Sequence, residues 1–293
     1  MNPEKKMNRI GRLTLFMAAF FWGVSFVLMK NVIGNIPTFY VLAIRFCGAG
    51  LILLPVCAGR LKNLDRSYLK SGMLMGIAIL LGYILQTYGL QSTTPGKNAF
   101  LTSVYCVIVP FLYWIFIKKK PDKYNAAAAI VCIVGVGFIS LTGSFSIGIG
   151  DLLTIFCGFF FALHIVITSR CVAGRDPVAL AMIQFLTSGA AALICALIFE
   201  TRPANVETAD ILSLAFLTVV STAVCLLMQI FGQKYTPPSQ AAVILTLESV
   251  FGMLASVAFY SERLTLRLVV GFALTFAAVI ISETKLAFLK RKT

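Results

Sequence analysis

Three ionisable side chains lie well inside long apolar stretches of the sequence: Arg45, His164 and Glu248. A charge in the middle of a membrane-spanning segment is costly unless it faces protein or water. An arginine can grip a carboxylate through its planar guanidinium, and a glutamate can hold an ammonium group or carry a proton. Arg45 and Glu248 therefore predict a site for a small charged molecule. A structural ion pair, or an arginine that fixes helix ends, is the competing interpretation.

His164 is the only histidine of the chain, and aromatic residues surround it at helical steps. A gating or pH-sensing role fits a histidine. The alternative is a packed residue whose ring is hydrogen-bonded. Trp22 and Ser25, in the first apolar stretch, also have two interpretations: they line a cavity, or they pack between helices.

Three further groups of polar or tyrosine side chains recur at steps of three and four residues, so each group shares one face of a helix. They are Asn98, Thr102 and Tyr105; Thr222, Cys225 and Gln229; and Tyr83 with Gln86 or Thr87. Such stripes face either a cavity or another helix, where Ser, Thr and Gln join helices by hydrogen bonds. Because three stripes converge with Glu248, we predict a substrate-binding or gating cavity.

An internal repeat connects these groups. The stretch Gln86–Tyr105 reappears as Gln229–Glu248 at a constant offset of 143 residues, with five of twenty positions identical. A period near half of the chain length indicates two copies of one folding unit. Tyr105 and Glu248 occupy equivalent positions of the two copies, so we expect a tyrosine to face a carboxylate at mid-depth of the membrane.

The composition is that of a membrane protein. Hydrophobic residues make up 59% of the chain and charged residues only 12%, and no water-soluble domain can hide that much apolar surface. The formal net charge of +14 does not indicate nucleic-acid binding, because the Lys and Arg residues stand in short clusters between apolar runs rather than over one face.

Ten apolar spans can be distinguished, each near the roughly 20 residues that a helix needs to cross about 30 Å of hydrocarbon. Prolines stand at or beside several helix starts, where the missing N–H costs nothing. We therefore predict an all-α integral membrane protein with ten transmembrane helices. The spans are 12–33, 37–57, 69–90, 96–117, 124–142, 150–170, 177–199, 209–231, 238–260 and 265–286.

Lys and Arg are distributed very unequally between alternate loops. The side that holds the amino terminus collects 19 of the 25, the other side collects five, and Arg45 lies inside a span. By the positive-inside rule both termini are expected to be cytoplasmic. We predict a multi-pass protein of the cell membrane whose surroundings are the lipid bilayer.

Each copy of the repeat contains five spans, and this number determines how the two copies are oriented in the membrane. An odd number of crossings makes the second copy, 147–293, enter the membrane upside down relative to the first, 1–146. Such inverted-topology repeats exchange conformations about an axis in the membrane plane, so that a site between them opens to one side and then to the other. The spans thus predict alternating access.

The chain resembles the drug/metabolite transporter superfamily, and within it the EamA-type permeases of two five-helix halves. The resemblance is carried by Phe20–Lys30, by Gly89–Pro110, by Tyr235–Thr265 and by the glycine-bearing last span from Gly271. It covers nearly the whole chain. It implies export or exchange of a small amphipathic metabolite such as an amino acid, through a central cavity. One departure is that Lys118–Pro121 stands where such permeases carry an acid like Glu262.

Other classes of function receive less support from the sequence. The eight cysteines show no CxxC spacing, so neither a metal site nor a disulfide framework is indicated, and without a P-loop no ATP drives the protein directly. We expect no cofactor. An integral membrane enzyme acting on lipid-linked or small substrates is the alternative, but it needs converging carboxylates or histidines. No oligomeric state follows from the sequence.

Overall fold

The computed structural model describes residues 3–59, 64–118, 120–140 and 147–284, and within these ranges the chain forms ten helices. In chain order they are α1 (Pro3–Val32), α2 (Thr38–Cys57), α3 (Arg66–Gln91), α4 (Pro95–Thr102 and Tyr105–Ile117), α5 (Lys123–Ser140), α6 (Ile149–Cys171), α7 (Pro177–Phe199), α8 (Thr208–Phe216, Leu217–Val224 and Cys225–Tyr235), α9 (Pro238–Tyr260) and α10 (Leu266–Thr284).

The helices coincide with the ten predicted spans. Eight of them are long and apolar enough to cross a membrane, and α5 and α10 supply the shorter apolar helices Lys123–Ile139 and Leu266–Ile281. The prediction of an all-α membrane protein with ten helices is confirmed. The last residues of the fifth and tenth predicted spans, 141–142 and 285–286, lie outside the described residues.

Several helices begin where the sequence places a proline or a capping side chain. Proline occupies the first turn of α4, α7 and α9, where its fixed φ suits the helix and its missing N–H is not needed. The Asp176 carboxylate caps α7 by accepting hydrogen bonds from the backbone N–H groups of Val178 and Ala179, at 2.9 and 3.0 Å.

Helix α4 differs from its predicted continuous span, because it is interrupted at Ser103–Val104. The backbone there makes tighter i to i+3 hydrogen bonds, such as Cys106 N–H to the Ser103 carbonyl at 3.0 Å. Gly158 of α6 lies against this break, where a Cβ would stand 3.2 Å from the Thr102 carbonyl oxygen. The interruption means that the residues before and after it do not continue one helical face.

The packing of the helices is symmetric in the two repeats. Helices α2, α4 and α5 pack against α7, α9 and α10, which are their own equivalents. Helix α1 packs against α8 and α9, just as its equivalent α6 packs against α3 and α4. We call α1, α8 and α9 the first three-helix group, and α6, α3 and α4 the second three-helix group. Exchanging the repeats exchanges the two groups.

Glycines produce the same close crossing in each group. A Cβ on Gly89 of α3 would stand 2.8 Å from the Gly150 carbonyl oxygen of α6, and a Cβ on Gly232 of α8 would stand 2.8 Å from the Gly11 carbonyl oxygen of α1. Small residues let helix backbones approach closely in membranes. The two crossings equate Gly11 with Gly150, so α1 and α6 correspond at an offset of 139 residues.

Glu262, in the connection between α9 and α10, caps the start of α4. Its carboxylate accepts hydrogen bonds from the Thr94 hydroxyl, the Gly96 backbone N–H and the Ser256 hydroxyl, which places a negative charge at a helix N-terminus. Glu262 thus ties the second half to the first. Lys119, at the equivalent position of the first half, lies outside the described residues.

We predict that Gly150→Ala destabilises the protein, because the added Cβ would meet the backbone of Gly89 and Ser92 at 2.8 and 3.1 Å. Overpacking of this kind costs about 1–3 kcal/mol. The matched control is Gly148→Ala, since a Cβ on Gly148 meets no atom within 4 Å. Thermal unfolding of the purified variants in detergent measures the difference, and equal melting temperatures would contradict the close crossing.

Candidate functional site

A central cavity lies between α1, α2, α3, α4, α6, α8 and α9. It contains about 630 Å³ of space that protein atoms do not fill, including its opening. Aromatic and aliphatic side chains form most of the wall, and a few polar groups interrupt it, as is usual for sites that bind small molecules. The polar, charged and aromatic residues that line it are Trp22, Ser25, Phe26, Arg45, Tyr83, Gln86, Thr87, Tyr105, Phe161, His164, Ser221, Gln229 and Glu248.

Eight of the twelve predicted site residues lie in the wall of this cavity: Trp22, Arg45, Tyr83, Gln86, Tyr105, His164, Gln229 and Glu248. The other four, Asn98, Thr102, Thr222 and Cys225, are buried behind it. Long stretches of sequence separate the eight residues, and the packing of the two three-helix groups brings them together.

Arg45 of α2 is 2% exposed and is held by four neighbours rather than by a carboxylate. Its Nε donates to the Thr222 hydroxyl at 3.0 Å, and Nη2 donates to the Ser221 hydroxyl at 3.4 Å. Nη1 lies 3.8 Å from the Met29 sulfur, and the guanidinium carbon stands 4.7 Å from the centre of the Tyr83 ring. These contacts fix the orientation of the guanidinium, but among the described residues it has no ion-pair partner.

The partners of Arg45 come from an unusual segment of α8. Residues Leu217–Val224 form a π-helix, a form often found at functional sites. The Thr222 hydroxyl donates to the Leu217 carbonyl five residues back, at 2.7 Å, and the Ser221 carbonyl accepts the Trp22 indole N–H at 2.8 Å. Sequence reasoning selected Thr222 and not Ser221, although Ser221 also stands one helical step of four residues before Cys225.

Glu248 of α9 is 5% exposed and lines the same cavity as Arg45. The Tyr105 hydroxyl lies beside its carboxyl group without a hydrogen bond of ordinary geometry. Tyr83 is close enough to interact with both Arg45 and Glu248. Neither charge has an ion-pair partner in the part of the chain that the structure describes.

Asn98 and Thr102 join helices instead of lining the cavity. The Asn98 side-chain amide donates to the Thr154 hydroxyl at 2.7 Å and to the Gln86 carbonyl at 3.3 Å. The Thr102 hydroxyl accepts from the Gln86 amide at 3.1 Å and lies 3.5 Å from the Cys157 sulfur. Asn98 and Thr102 are buried outside the lining of the cavity, whereas Tyr105, which follows the interruption of α4, lines it.

Thr222 and Cys225 are fully buried in α8. Thr222 supports Arg45 from behind the cavity wall, and Cys225 packs in an apolar cluster with residues of α4 and α9. Gln229, the third member of that stripe, does line the cavity. The π-helical segment ends directly before Cys225, and its wider turn changes the directions of the side chains. Thr222, Cys225 and Gln229 therefore do not share one helical face.

His164 of α6 is bonded on one ring nitrogen only. Its Nε2 lies 2.9 Å from the Gln184 side-chain oxygen and 3.3 Å from the Thr168 hydroxyl, while Nδ1 has no hydrogen-bond partner among the described residues. Gln184 of α7 was not selected from the sequence. The offset of 139 also relates α2 and α7, where Gly50 meets Leu186 just as Gly189 meets Cys47. It equates Gln184 with Arg45, so a repeat alignment extended to these helices would have found Gln184.

Three polar atoms in the cavity wall are buried without a partner in the described structure: the Tyr105 hydroxyl, the Gln229 side-chain oxygen and His164 Nδ1. Buried polar atoms are nearly always hydrogen-bonded, so such exceptions need an explanation. A bound polar molecule or water would satisfy all three. Within the described ranges, no group of three or more His, Cys, Asp or Glu residues could hold a metal ion.

Comparison with known proteins gives a consistent result. The sequence model of the EamA-like transporter family matches residues 9–141 and again residues 148–284. A protein of Archaeoglobus fulgidus named uncharacterized transporter is 36% identical over 271 residues, covering 92% of this chain and 84% of that protein. A second protein of the same name and organism is 24% identical over 276 residues, covering 94% and 96%.

A solved crystal structure has a similar fold, with a TM-score of 0.72. The similarity covers 96% of this chain and 98% of the other chain, at 16% sequence identity. At that identity the similarity concerns the fold alone.

We predict that Asn98→Ala lowers thermal stability, because it removes two hydrogen bonds that join α4 to α3 and α6. The expected loss is about 0.5–2 kcal/mol. Gln229→Leu is the matched control, since the Gln229 side-chain oxygen has no partner and its loss leaves no broken bond there. Unfolding of the two variants in detergent checks this, and a Gln229→Leu protein that is the less stable of the two would overturn the assignment.

Proposed function

The chain belongs to the EamA-like transporter family, and on that premise we propose that it is a secondary carrier for a small zwitterionic metabolite such as an amino acid. The observation that carries the proposal is the pair of buried, opposite charges in one cavity, Arg45 and Glu248, with no ion-pair partner among the described residues. A zwitterion supplies both missing partners at once.

Arg45 is suited to the carboxylate of the substrate. A guanidinium binds a carboxylate through two parallel hydrogen bonds, and it does so most effectively when its orientation is fixed in advance. Thr222 and Ser221 fix Nε and Nη2 from one side, and the Tyr83 ring supports the plane of the group. The substrate carboxylate is then attracted by a guanidinium whose orientation does not have to change on binding.

Glu248 is suited to the ammonium group of the substrate. A carboxylate buried in an apolar interior attracts a cation far more strongly than it would in water. The Tyr105 hydroxyl and the Gln229 side-chain oxygen, both unpartnered, add polar groups at this end. Between the two charged ends, Trp22, Tyr83 and Phe161 offer aromatic surface for the apolar part of the molecule.

The packing of the helices supports alternating access. The cavity lies between the first and second three-helix groups, which the repeat makes equivalent. Movement of one group against the other opens the cavity to one face of the membrane and closes it to the opposite face. Because the two groups have the same architecture, the two open states have similar energies.

We also propose that the protein spans the cell membrane with both termini in the cytoplasm, since 19 Lys and Arg residues flank that side and five flank the other. In this arrangement the two halves are residues 1–146 and 147–293. The family matches at 9–141 and 148–284 support a boundary near residue 146.

We expect Glu248→Gln to abolish transport without loss of folding, because the amide keeps the shape of the side chain but cannot attract an ammonium group. The assay is counterflow of labelled amino acids and related metabolites into proteoliposomes. Glu207→Gln is the matched control, since Glu207 lies at the exposed start of α8, away from the cavity.

Two results would contradict the proposal. Wild-type flux in the Glu248→Gln protein would exclude Glu248 from the site. Failure of the wild-type protein to move any member of a broad panel of zwitterions, under conditions in which it stays folded, would contradict the carrier function itself.

A further inference from the structure

We propose that Lys30 and Gln233 are the gate residues at the two ends of the central cavity. Each makes hydrogen bonds that cross from the first three-helix group to the second at its own end, and the two sets of bonds occupy equivalent places in the two repeats. The inference rests on the proposed alternating access, but it does not depend on the identity of the substrate.

Lys30 lies near the end of α1 and bonds to the end of α3. Its ammonium group donates to the carbonyl oxygens of Leu90, Gln91 and Thr93, at 2.6, 3.0 and 2.9 Å. The last carbonyls of a helix lack partners within the helix, and a cation there also meets the negative end of the helix dipole. Lys30 therefore clamps α1 of the first group to α3 of the second.

Gln233 lies near the end of α8 and bonds to the end of α6. Its side-chain amide donates to the Ile165 carbonyl at 2.9 Å and to the Ser169 hydroxyl at 3.0 Å. Gln233 is 3% exposed, so these bonds are shielded from water. They join α8 of the first group to α6 of the second, at the face of the protein where α1 begins.

The repeat makes the two contacts equivalent. The 143-residue offset of α3 and α8 equates Leu90 with Gln233, and the 139-residue offset of α1 and α6 equates Lys30 with Ser169. In both places the end of the first helix of a repeat therefore meets the end of the third helix of the same repeat. The amino acids differ while the location of the contact is conserved between the halves of the molecule.

Both contacts stand at the boundary of the central cavity. Leu90 and Ile165, which accept the bonds, line the cavity. Gln233 and Ser169 line a second, polar pocket of about 890 Å³, including its open part, on the face where α1 begins. The bond from Gln233 to Ile165 therefore separates the two spaces. Both sets of bonds are formed in this conformation.

The two gates differ in strength. Lys30 offers a charged donor to three acceptors, whereas Gln233 offers a neutral donor to two, and hydrogen bonds of charged groups are the stronger ones. The cavity should consequently open more readily towards the face where α1 begins than towards the opposite face. The polar pocket outside Gln233 lies on that more readily opened path.

The structure also provides matched controls. Lys97 forms an ion pair with Asp151 at 2.5 Å, and Arg12 donates to the Gln240 side chain at 3.1 Å. The same two offsets equate these pairs with each other. Each pair joins helices of a single three-helix group, α4 to α6 or α1 to α9. Removing these contacts should weaken a group internally without opening the cavity.

The test uses cysteines introduced into the cavity wall and a membrane-impermeant maleimide added to one face of proteoliposomes of known orientation. Thr87→Cys reports on the half towards Lys30, and Ile165→Cys reports on the half towards Gln233. Labelling of the native cysteines is measured in protein without the reporter and subtracted. Every variant is first shown to have the melting temperature of a folded protein.

We expect Lys30→Met to raise the labelling rate of Thr87→Cys by roughly tenfold or more when the maleimide is added to the face opposite to the one where α1 begins. The reason is that this substitution removes every hydrogen-bond donor that Lys30 supplies to its gate. The rate of Ile165→Cys from the face where α1 begins should fall. Lys30→Arg should stay close to the parent, and Lys97→Met should change the rate by less than about twofold. Gln233→Leu should raise Ile165→Cys labelling several-fold, while Arg12→Met should not.

Unchanged labelling in folded Lys30→Met and Gln233→Leu proteins would contradict the assignment of Lys30 and Gln233 as gates. A rise of the labelling rate at both faces at once would contradict it as well, because the contacts would then only pack the bundle. An effect of Lys97→Met as large as that of Lys30→Met would overturn them too. Because labelling needs no substrate, failure here together with normal counterflow would reject the gates and leave the carrier function standing.

Discussion

Two opposite charges buried in one apolar bundle, without a counter-charge for either among the described residues, are the constraint on which the rest of the structure depends. A lone charge is far from its preferred solvent inside a protein, so the fold must compensate Arg45 and Glu248 by other means. Arg45 is compensated by two hydroxyl groups, a sulfur and the face of Tyr83. Glu248 keeps access to the cavity. The charges of Arg45 and Glu248 can therefore still attract the opposite charges of a ligand.

This arrangement uses departures from regular helices. The π-helical segment of α8 presents Ser221 and Thr222 to one guanidinium, and Tyr105, which lies beside Glu248, directly follows the interruption of α4. One departure lies in the first three-helix group and the other in the second, in helices that are not equivalent in the repeat. The repeat provides two similar groups, and differences between its copies, Tyr105 against Glu248 and Arg45 against Gln184, provide a site that distinguishes the two ends of a molecule.

Much of this fold could be predicted from the sequence, because apolar length and the positions of proline and glycine determine where membrane helices begin and end. The pairing of Tyr105 with Glu248 also followed from the repeat. Helical periodicity did not separate Asn98, Thr102 and Thr222, which are buried outside the lining of the cavity, from the residues that line it, since it assumes an uninterrupted α-helix. Lys30 was counted only as a loop charge, because its role depends on carbonyl groups of α3, which no side-chain pattern records.

The central claim is that the cavity recognises two opposite charges on one molecule, and the stabilisation of the purified wild-type protein by ligands tests it most directly. Binding to the folded state raises the melting temperature by mass action. Amino acids should raise it in a concentration-dependent manner, whereas the matched carboxylic acids without the amine and amines without the carboxylate should raise it far less. Equal stabilisation by either singly charged analogue would contradict the account.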